Sequence, residues 1–425
     1  MRIAIIGSGI SGLVAARQLH DAHDVTVFEA NDYAGGHTNT VSVNVSGEYH
    51  SVDTGFIVFN DRTYPNFCRL LQELDVESVP TSMSFSVRAD EDNLEYSGSG
   101  LAGMFVQKRN LLRPGFYRMI RDILRFNREA HHLNDDSEDE QTVGEFLAKN
   151  RYSSQFARHY LLPMGAAIWS CPTSTFENFP IRFICEFYRN HGLLSLKDRP
   201  TWRVIKGGSR NYVQALTRPF RDRILLKTPV RSVVRGPESV AVETARGVDH
   251  YDEVIFACHS DQALSILGDQ ASVAEKSVLG AIPYEPNTAV LHTDTSLLPR
   301  RTSAWASWNY HIPAGTSDHA TLTYNMNILQ HIQSRHTFCV TLNEDSAIDP
   351  EKIIAKFRYS HPVFTTQRRS AQRRHCELIR NDRLSFCGAY WGNGFHEDGV
   401  NSGLAVASAF TETPVRLKSG DPVHA

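Results

Sequence analysis

The first thirty residues, MRIAIIGSGISGLVAARQLHDAHDVTVFEA, leave the chain little choice of fold. Arg2 to Ile6 is a short apolar, β-branched run and reads as a buried strand. Gly7-Ser8-Gly9-Ile10-Ser11-Gly12 follows at once, then helical spacing from Leu13 to Leu19, then a second strand from Asp24 that ends at Glu29-Ala30. Strand, glycine turn, helix, strand and acid together form the pattern that seats a dinucleotide. Gly7 permits the tight turn. Gly9 lets backbone N–H groups approach a diphosphate, and Gly12 lets helix and strand close up. The helix N-terminus supplies free donors, and Glu29 stands where a ribose diol would be held. The blander alternative is a glycine turn with a structural role only.

Length and composition bound the rest. A chain of 425 residues suggests two domains. Its 41% apolar and 21% charged content is that of an ordinary globular protein, and a formal net charge of −3 leaves no global nucleic-acid footprint. Seven scattered cysteines without a CxxC argue against a disulfide framework or a metal site and for a reducing, cytoplasmic setting. The apolar run after Met1 is broken by the glycine turn, so it reads as part of the fold rather than as a signal peptide. No stretch reaches the roughly 18 apolar residues of a membrane span.

Further along, Gly35-Gly36-His37-Thr38 brings backbone close to the same bound molecule. The alternating segment 41–45 reads as a strand turning at Ser46-Gly47. Segment 52–59 is apolar, with Thr54-Gly55-Phe56 inside it, and a strand glycine often marks close approach to a ligand. A helix is expected over 63–74. Residues 76–202 change character and read as a mostly helical domain inserted into the first. This region holds a basic amphipathic stretch (108–125), a solvated acidic loop (134–141) and a capping box at Thr142–Glu145. The first domain returns with Gly207-Gly208-Ser209 and a meander through 224–257. Strands follow over 289–292, 303–310, 320–324 and 337–342. The chain closes with a strand at 384–388, a loop at 390–398 and a helix from Gly399.

Several motifs carry a family resemblance: GSGISG at 7–12, Glu29, GGHT at 35–38, DTG at 53–55, GGS at 207–209, Val230 after Pro229, DEVIFAC at 252–258 and FCG…EDGVNSG at 386–403. On these the chain resembles the flavin-containing amine oxidase and phytoene desaturase superfamily. Through FIVFNDRTYPNF (56–67), MSFSV (83–87), IWSCP (168–172), SAWASWNY (303–310), YSHPVF (359–364) and GAYWGNGFHEDG (388–399) it is similar to the FAD-binding proteins associated with cyclopropane fatty acid synthases. The resemblance implies an α/β fold: a Rossmann-type FAD-binding domain (1–75, 203–275 and 376–425) interleaved with a mixed-sheet and helical substrate or cap domain (76–202 and 276–375). It also implies FAD contacts from Gly36, His37, Thr38, Thr54, Gly55 and Phe56, from Val230 to adenine, and from Gly388 and Val400 near the ribityl chain and ring.

Two departures shape the expected chemistry. No lysine occurs between Lys276 and Lys352, where amine oxidases place one that holds a water at flavin N5, and the nearest strand polar group is His292. The glutamate expected after the last-strand glycine is Ala389, leaving Glu397 or Asp398 to replace it. No Ser-Gly-Gly-Cys attachment motif occurs, so FAD is expected to be non-covalent.

The leading expectation is therefore a FAD-dependent oxidoreductase of a fatty-acyl chain. The alternatives are an amine oxidase and a flavin-bound partner of a neighbouring fatty acid methyltransferase. Candidate residues near the chemistry are Tyr390, Phe395, His396 and His292. His396 would move a proton, or else only cap its loop, with Glu397 and Asp398 capping the helix. Trp305, Trp308, Tyr310 and Trp391 are candidate tunnel walls or ordinary core. The basic stretch is a solvated face or a peripheral contact with the inner membrane surface.

Overall fold

The computed structural model describes residues 1–131, 133, 141–169, 171–195, 199–315, 321–363, 365 and 367–410. Most of the acidic loop, Ser170, Ala320, Phe364 and the end of the first domain's last segment lie outside the described residues.

Arg2–Ile6 is the middle strand of a five-stranded parallel sheet. In spatial order the strands are Ile224–Leu225, Asp24–Phe28, Arg2–Ile6, Glu253–Phe256 and Leu384–Phe386. Its apolar run is continuous because both faces are covered. Ile3 and Ile5 face one core with Val25 and Val27, while Ala4 and Ile6 face another with Phe28 and Phe256. Strand order reverses beside Arg2–Ile6, so the glycine turn at its carboxyl end stands at the topological switch point, where such sheets bind ligands. The helices Ile10–Leu19 and His396–Ser408 lie against each other. A Cβ on Gly403 would come within 2.5 Å of Ser11 O, so a larger residue there would push them apart.

A meander of Ser232–Arg235, Val240–Thr244 and Gly247–Tyr251 covers the parallel sheet. The segment 253–256, read with that meander from the sequence, instead pairs with Arg2–Ile6. A second, seven-stranded sheet runs Ile353–Pro362, Tyr284–His292, Cys339–Leu342, Thr321–Asn325, Trp308–Ile312, Phe85–Ala89, Leu94–Ser97. Helices between Leu101 and Asn190 build a cap with an aromatic core of its own. The segment 78–97, expected at the head of a helical domain, supplies strands to two sheets. The hairpin Thr40–Val45 and Glu48–Asp53, grouped by sequence with the nucleotide domain, buries Val43 and Val52 in the core of the seven-stranded sheet.

Three local readings change. The strand expected over 303–310 begins at Trp308: residues 302–304 form a single 3-10 turn, and Trp305 donates its indole N–H to Pro299 O at 2.8 Å. The 152–169 helix contains a π-helical turn at Ala157–Leu161. The last helix begins at His396, one turn before Gly399, because Phe395 N donates to the Asp398 carboxylate at 2.9 Å. Gly399 N–H is thus spent inside the helix on Phe395 O and is no free donor at its tip.

Candidate active site and cofactor cleft

The glycine turn divides its work much as the sequence suggests. Helix Ile10–Leu19 begins after Gly9 without any side-chain cap, leaving first-turn N–H groups free. A Cβ built on Gly9 meets nothing within 4 Å, so the space above it is open. On Gly12 it would lie 2.2 Å from Gly7 O, so that position closes helix on strand. Ile10 and Ser11 are buried in the first turn. Gly35 N donates to Ser8 O at 3.0 Å, and a Cβ on Gly36 would stand 3.1 Å from Gly9 Cα, which brings the second glycine pair over the first. Phe56 N donates to His37 O (2.8 Å) and Thr54 N to Asn39 O (2.9 Å), so the 54–56 segment runs beside 37–39.

Glu29, buried at the end of its strand, accepts from Ser8 N (3.1 Å) and Ser8 Oγ (2.5 Å) through Oε2, and from Asn31 N (2.8 Å) through Oε1. Oε1 keeps a lone pair for a hydroxyl. Ala30 is exposed beside it, and Val230 is half-buried near the end of the adjacent strand. An uncapped helix N-terminus, an open glycine shelf and a carboxylate with spare acceptor capacity fit the ADP part of FAD. Beside this shelf, the rings of His259 and His361 stand 5.6 and 5.4 Å from that of His37. Burial lowers the pKa of His37 to about 4, and burial plus neighbouring imidazole charge lowers those of His259 and His361 to about 3, so all three are neutral at neutral pH.

His396 joins a buried cluster. Its Nε2 is 3.0 Å from Thr38 Oγ1 and 2.8 Å from Tyr212 OH, and its ring stacks on Phe56 at 3.4 Å. Burial, then the charge of His37, holds it well below the usual imidazole range. Its neighbours in sequence are committed to capping. The Glu397 carboxylate accepts from Asn66 N (2.9 Å) and Phe67 N (2.8 Å), capping helix Pro65–Glu73, and burial raises its pKa to about 7. Asp398 caps its own helix. Both carboxylates are oriented by helix-start N–H groups and neither lines the cavity described next, which corrects their reading as ribityl ligands. Val400 is buried in the first core, and Gly388 N donates to Ser402 Oγ at 2.9 Å.

Next to this cluster lies a cavity of about 470 Å3, within the usual size range for small-molecule sites. Its lining includes His37, Gly55, Phe56, Phe395 and His396 on one side, and Met83, Phe85, Trp169, Phe187, Trp308 and Tyr324 on the others. Phe395 stacks on Phe187 at 4.9 Å, and His191 on Phe187 at 3.8 Å. Arg199 is the one permanently charged side chain among the described lining residues, which include no carboxylate.

Two sequence candidates are placed elsewhere. His292 is fully buried in the seven-stranded sheet, its Nε2 2.7 Å from Thr341 Oγ1, and does not line the cavity. Tyr390 is core: a Cβ on Gly388 would strike its ring at 2.2 Å. Of the tunnel candidates Trp308 lines the cavity, while Trp305, Tyr310 and Trp391 do not.

Sequence reasoning missed Tyr212, Tyr359, His259, Arg199 and the buried Asp53. Asp53 accepts from Thr40, Ser209 and Gln330 and so ties the DTG segment to GGS. Its motif position was the available signal; Arg199 had none.

The family model for flavin-containing amine oxidoreductases matches residues 10–319. A Mycobacterium tuberculosis protein named as a flavin-containing monoamine oxidase is 27% identical over 272 residues, 60% of this chain and 56% of the relative. The chain therefore aligns with only about half the length of that curated relative. Among solved structures, cyclohexylamine oxidase from Brevibacterium oxydans superposes with a TM-score of 0.67 at 16% identity, covering 96% of this chain and 98% of that one. The fatty acid isomerase of P. acnes that produces CLA superposes with a TM-score of 0.67 at 15% identity over 96% and 98%. These likenesses establish a two-domain amine-oxidase-like fold. With the family match and the glycine shelf, they lead to one conclusion: the chain belongs to the flavin-containing amine oxidoreductase family, and FAD is the cofactor that membership assigns to it.

Proposed function

We propose that this FAD-dependent oxidoreductase dehydrogenates the acyl chain of a fatty acid or lipid, with FAD held non-covalently. The observation that carries the reading is the cavity wall: apolar and aromatic, without a carboxylate, and with Arg199 as its one fixed charge among the described residues. A cationic amine would meet a like charge there and no counter-ion among the described lining residues. An apolar chain with a carboxylate end meets aromatic walls and a guanidinium. The P. acnes neighbour acts on a fatty acid, which is in keeping with an acyl substrate on this fold.

Gly7 to Gly12, Glu29, His37 and Val230 would hold the ADP end of the cofactor. Thr38, Gly55, Gly388 and Val400 would lie along the remainder. Bound FAD would supply the two-electron acceptor for a C–H hydride. The chain's own residues would do the rest: Phe56, Phe187, Phe395 and Trp308 exclude water and align the chain. His396, held neutral by burial and hydrogen-bonded to Thr38 and Tyr212, would relay the released proton to those hydroxyls at the cavity wall rather than hold it as a base. The test is anaerobic reduction of the purified flavoprotein. Fatty acids and phospholipids with modified chains should bleach the yellow flavin band, and an amine panel should not. Bleaching by amines alone would overturn the reading.

A further inference from the structure

The basic stretch noted in the sequence folds into a surface the proposed chemistry does not use. On helix Pro114–Glu129, Phe116, Met119, Asp122 and Phe126 face inward. Tyr117, Arg121, Leu124 and Arg128, spaced by four, three and four residues, therefore share the outward face. Tyr117 OH donates to Leu111 O at 3.1 Å, which joins that stripe to the turn Lys108–Leu112.

The apolar exposure is concentrated here. Leu112 is 86% exposed, Leu101 79%, Leu124 54%, Leu111 51% and Tyr117 46%; these are five of the eleven large hydrophobic side chains exposed among the described residues. Basic side chains surround them. Between 101 and 129 the chain carries seven, at 108, 109, 113, 118, 121, 125 and 128, and two acids, Asp122 and Glu129, in a protein whose overall charge is −3. Asp122 is buried, accepts from Ser153 N at 3.0 Å and lies 3.7 Å from Arg121, and Glu129 pairs with Arg125 at 2.7 Å, so seven basic side chains against two acids leave the stretch a net charge of +5. Arg121, Asp122, Leu124, Arg125 and Arg128 border a surface hollow.

We propose that this face docks the protein on an anionic phospholipid bilayer, the exposed leucines entering the headgroup boundary and the arginines meeting lipid phosphates. Charge complementarity selects this occupant. Apolar tips ringed by cations suit an anionic interface, whereas a protein partner would have to desolvate the same arginines. The inner residues of the helix, Phe116 and Met119, belong to the core whose partly buried members Met83, Phe85 and Trp308 line the cavity. Docking would therefore set the face behind that cavity against the source of acyl chains. The surface itself stands whether or not the acyl reading holds, because its test uses no turnover.

The full-length flavoprotein is sedimented with vesicles of phosphatidylcholine alone and with vesicles of equal parts phosphatidylcholine and phosphatidylglycerol. Binding is expected only to the second, and it should weaken as salt is raised. Each basic side chain near an anionic surface is worth roughly a fivefold change in partition. Arg118→Gln with Arg121→Gln should therefore lower binding roughly 25-fold, and Leu111→Glu with Leu112→Glu should abolish it. All four positions are at the surface, so melting temperature and flavin content should stay at wild-type values. No sedimentation, equal binding to neutral vesicles, variants that bind like wild type, or a wild-type dimer that the leucine variant dissolves would each overturn the proposal.

Discussion

Gly9 and Gly12 separate cofactor binding from folding. At Gly9 the backbone sits at φ −66°, ψ 174°, which alanine adopts without strain, and a new Cβ meets no atom within 4 Å. Gly9→Ala should therefore leave the apo fold intact, and even stabilise it by about 0.4–1 kcal/mol through the unfolded chain. The same methyl group would occupy the shelf where a diphosphate approaches backbone N–H groups. Overfilling a close contact costs about 1–3 kcal/mol, so FAD affinity should fall roughly five- to 150-fold. Gly12→Ala should behave oppositely: its Cβ would lie 2.2 Å from Gly7 O and 2.9 Å from Ala257 Cβ, forcing helix from strand at a cost of about 1–3 kcal/mol in the apo protein. Thermal unfolding of apo protein and a flavin-fluorescence titration measure the two effects separately. A Gly9→Ala protein that takes up FAD like wild type, or whose apo form melts early, would refute the assignment of the shelf.

Other outcomes follow from the same geometry. Arg199→Gln should raise KM for a carboxylate-ended acyl substrate about fivefold, the value of one solvent-screened charged contact of about 1 kcal/mol, with kcat unchanged; steady-state kinetics on the acid and its methyl ester would read it. Glu397 has its pKa raised from 4.5 to about 7, so the folded state holds its proton longer than the unfolded one, and that contribution to stability is lost as pH rises through this window. The stability of Glu397→Gln relative to wild type should thus shift in favour of the variant by on the order of 3 kcal/mol from the acid to the neutral end, read by urea unfolding. A pH-independent difference would count against it. Exposed Cys376 should react quickly with a thiol reagent in the native protein, while buried Cys171, Cys185, Cys339 and Cys387, with thiols raised to about 12 or beyond, should wait for unfolding.

The parts legible in the sequence are those that local chemistry dictates. Ile3 and Ile5 can only be a buried strand, and the spacing of Gly7, Gly9 and Gly12 announces a shelf because each glycine answers to backbone geometry within a few residues. The capping box at Thr142 is equally local, and it forms with Glu145. The site was less legible. Glu397 and Asp398 looked like cofactor ligands from their motif, yet the partner that claims Glu397 is the N-terminus of a helix more than three hundred residues earlier. Tyr390 has the same amphipathic chemistry as Tyr359, but one fills the core and the other lines the cavity.

The sequence by itself determined the nucleotide-binding unit, the family and the lack of a lysine between Lys276 and Lys352, because each is a matter of residue type at fixed spacing. Only the tertiary structure decided which aromatic side chains meet around the cavity. It placed His396 between Thr38 and Tyr212, moved His292 into a sheet interior and left Arg199 as the cavity's one fixed charge among the described residues. The physical reason is range. Propensity, caps and glycine turns act over a few residues, whereas a cavity is the space left where two sheets and a helical cap, assembled from distant segments, fail to close on one another.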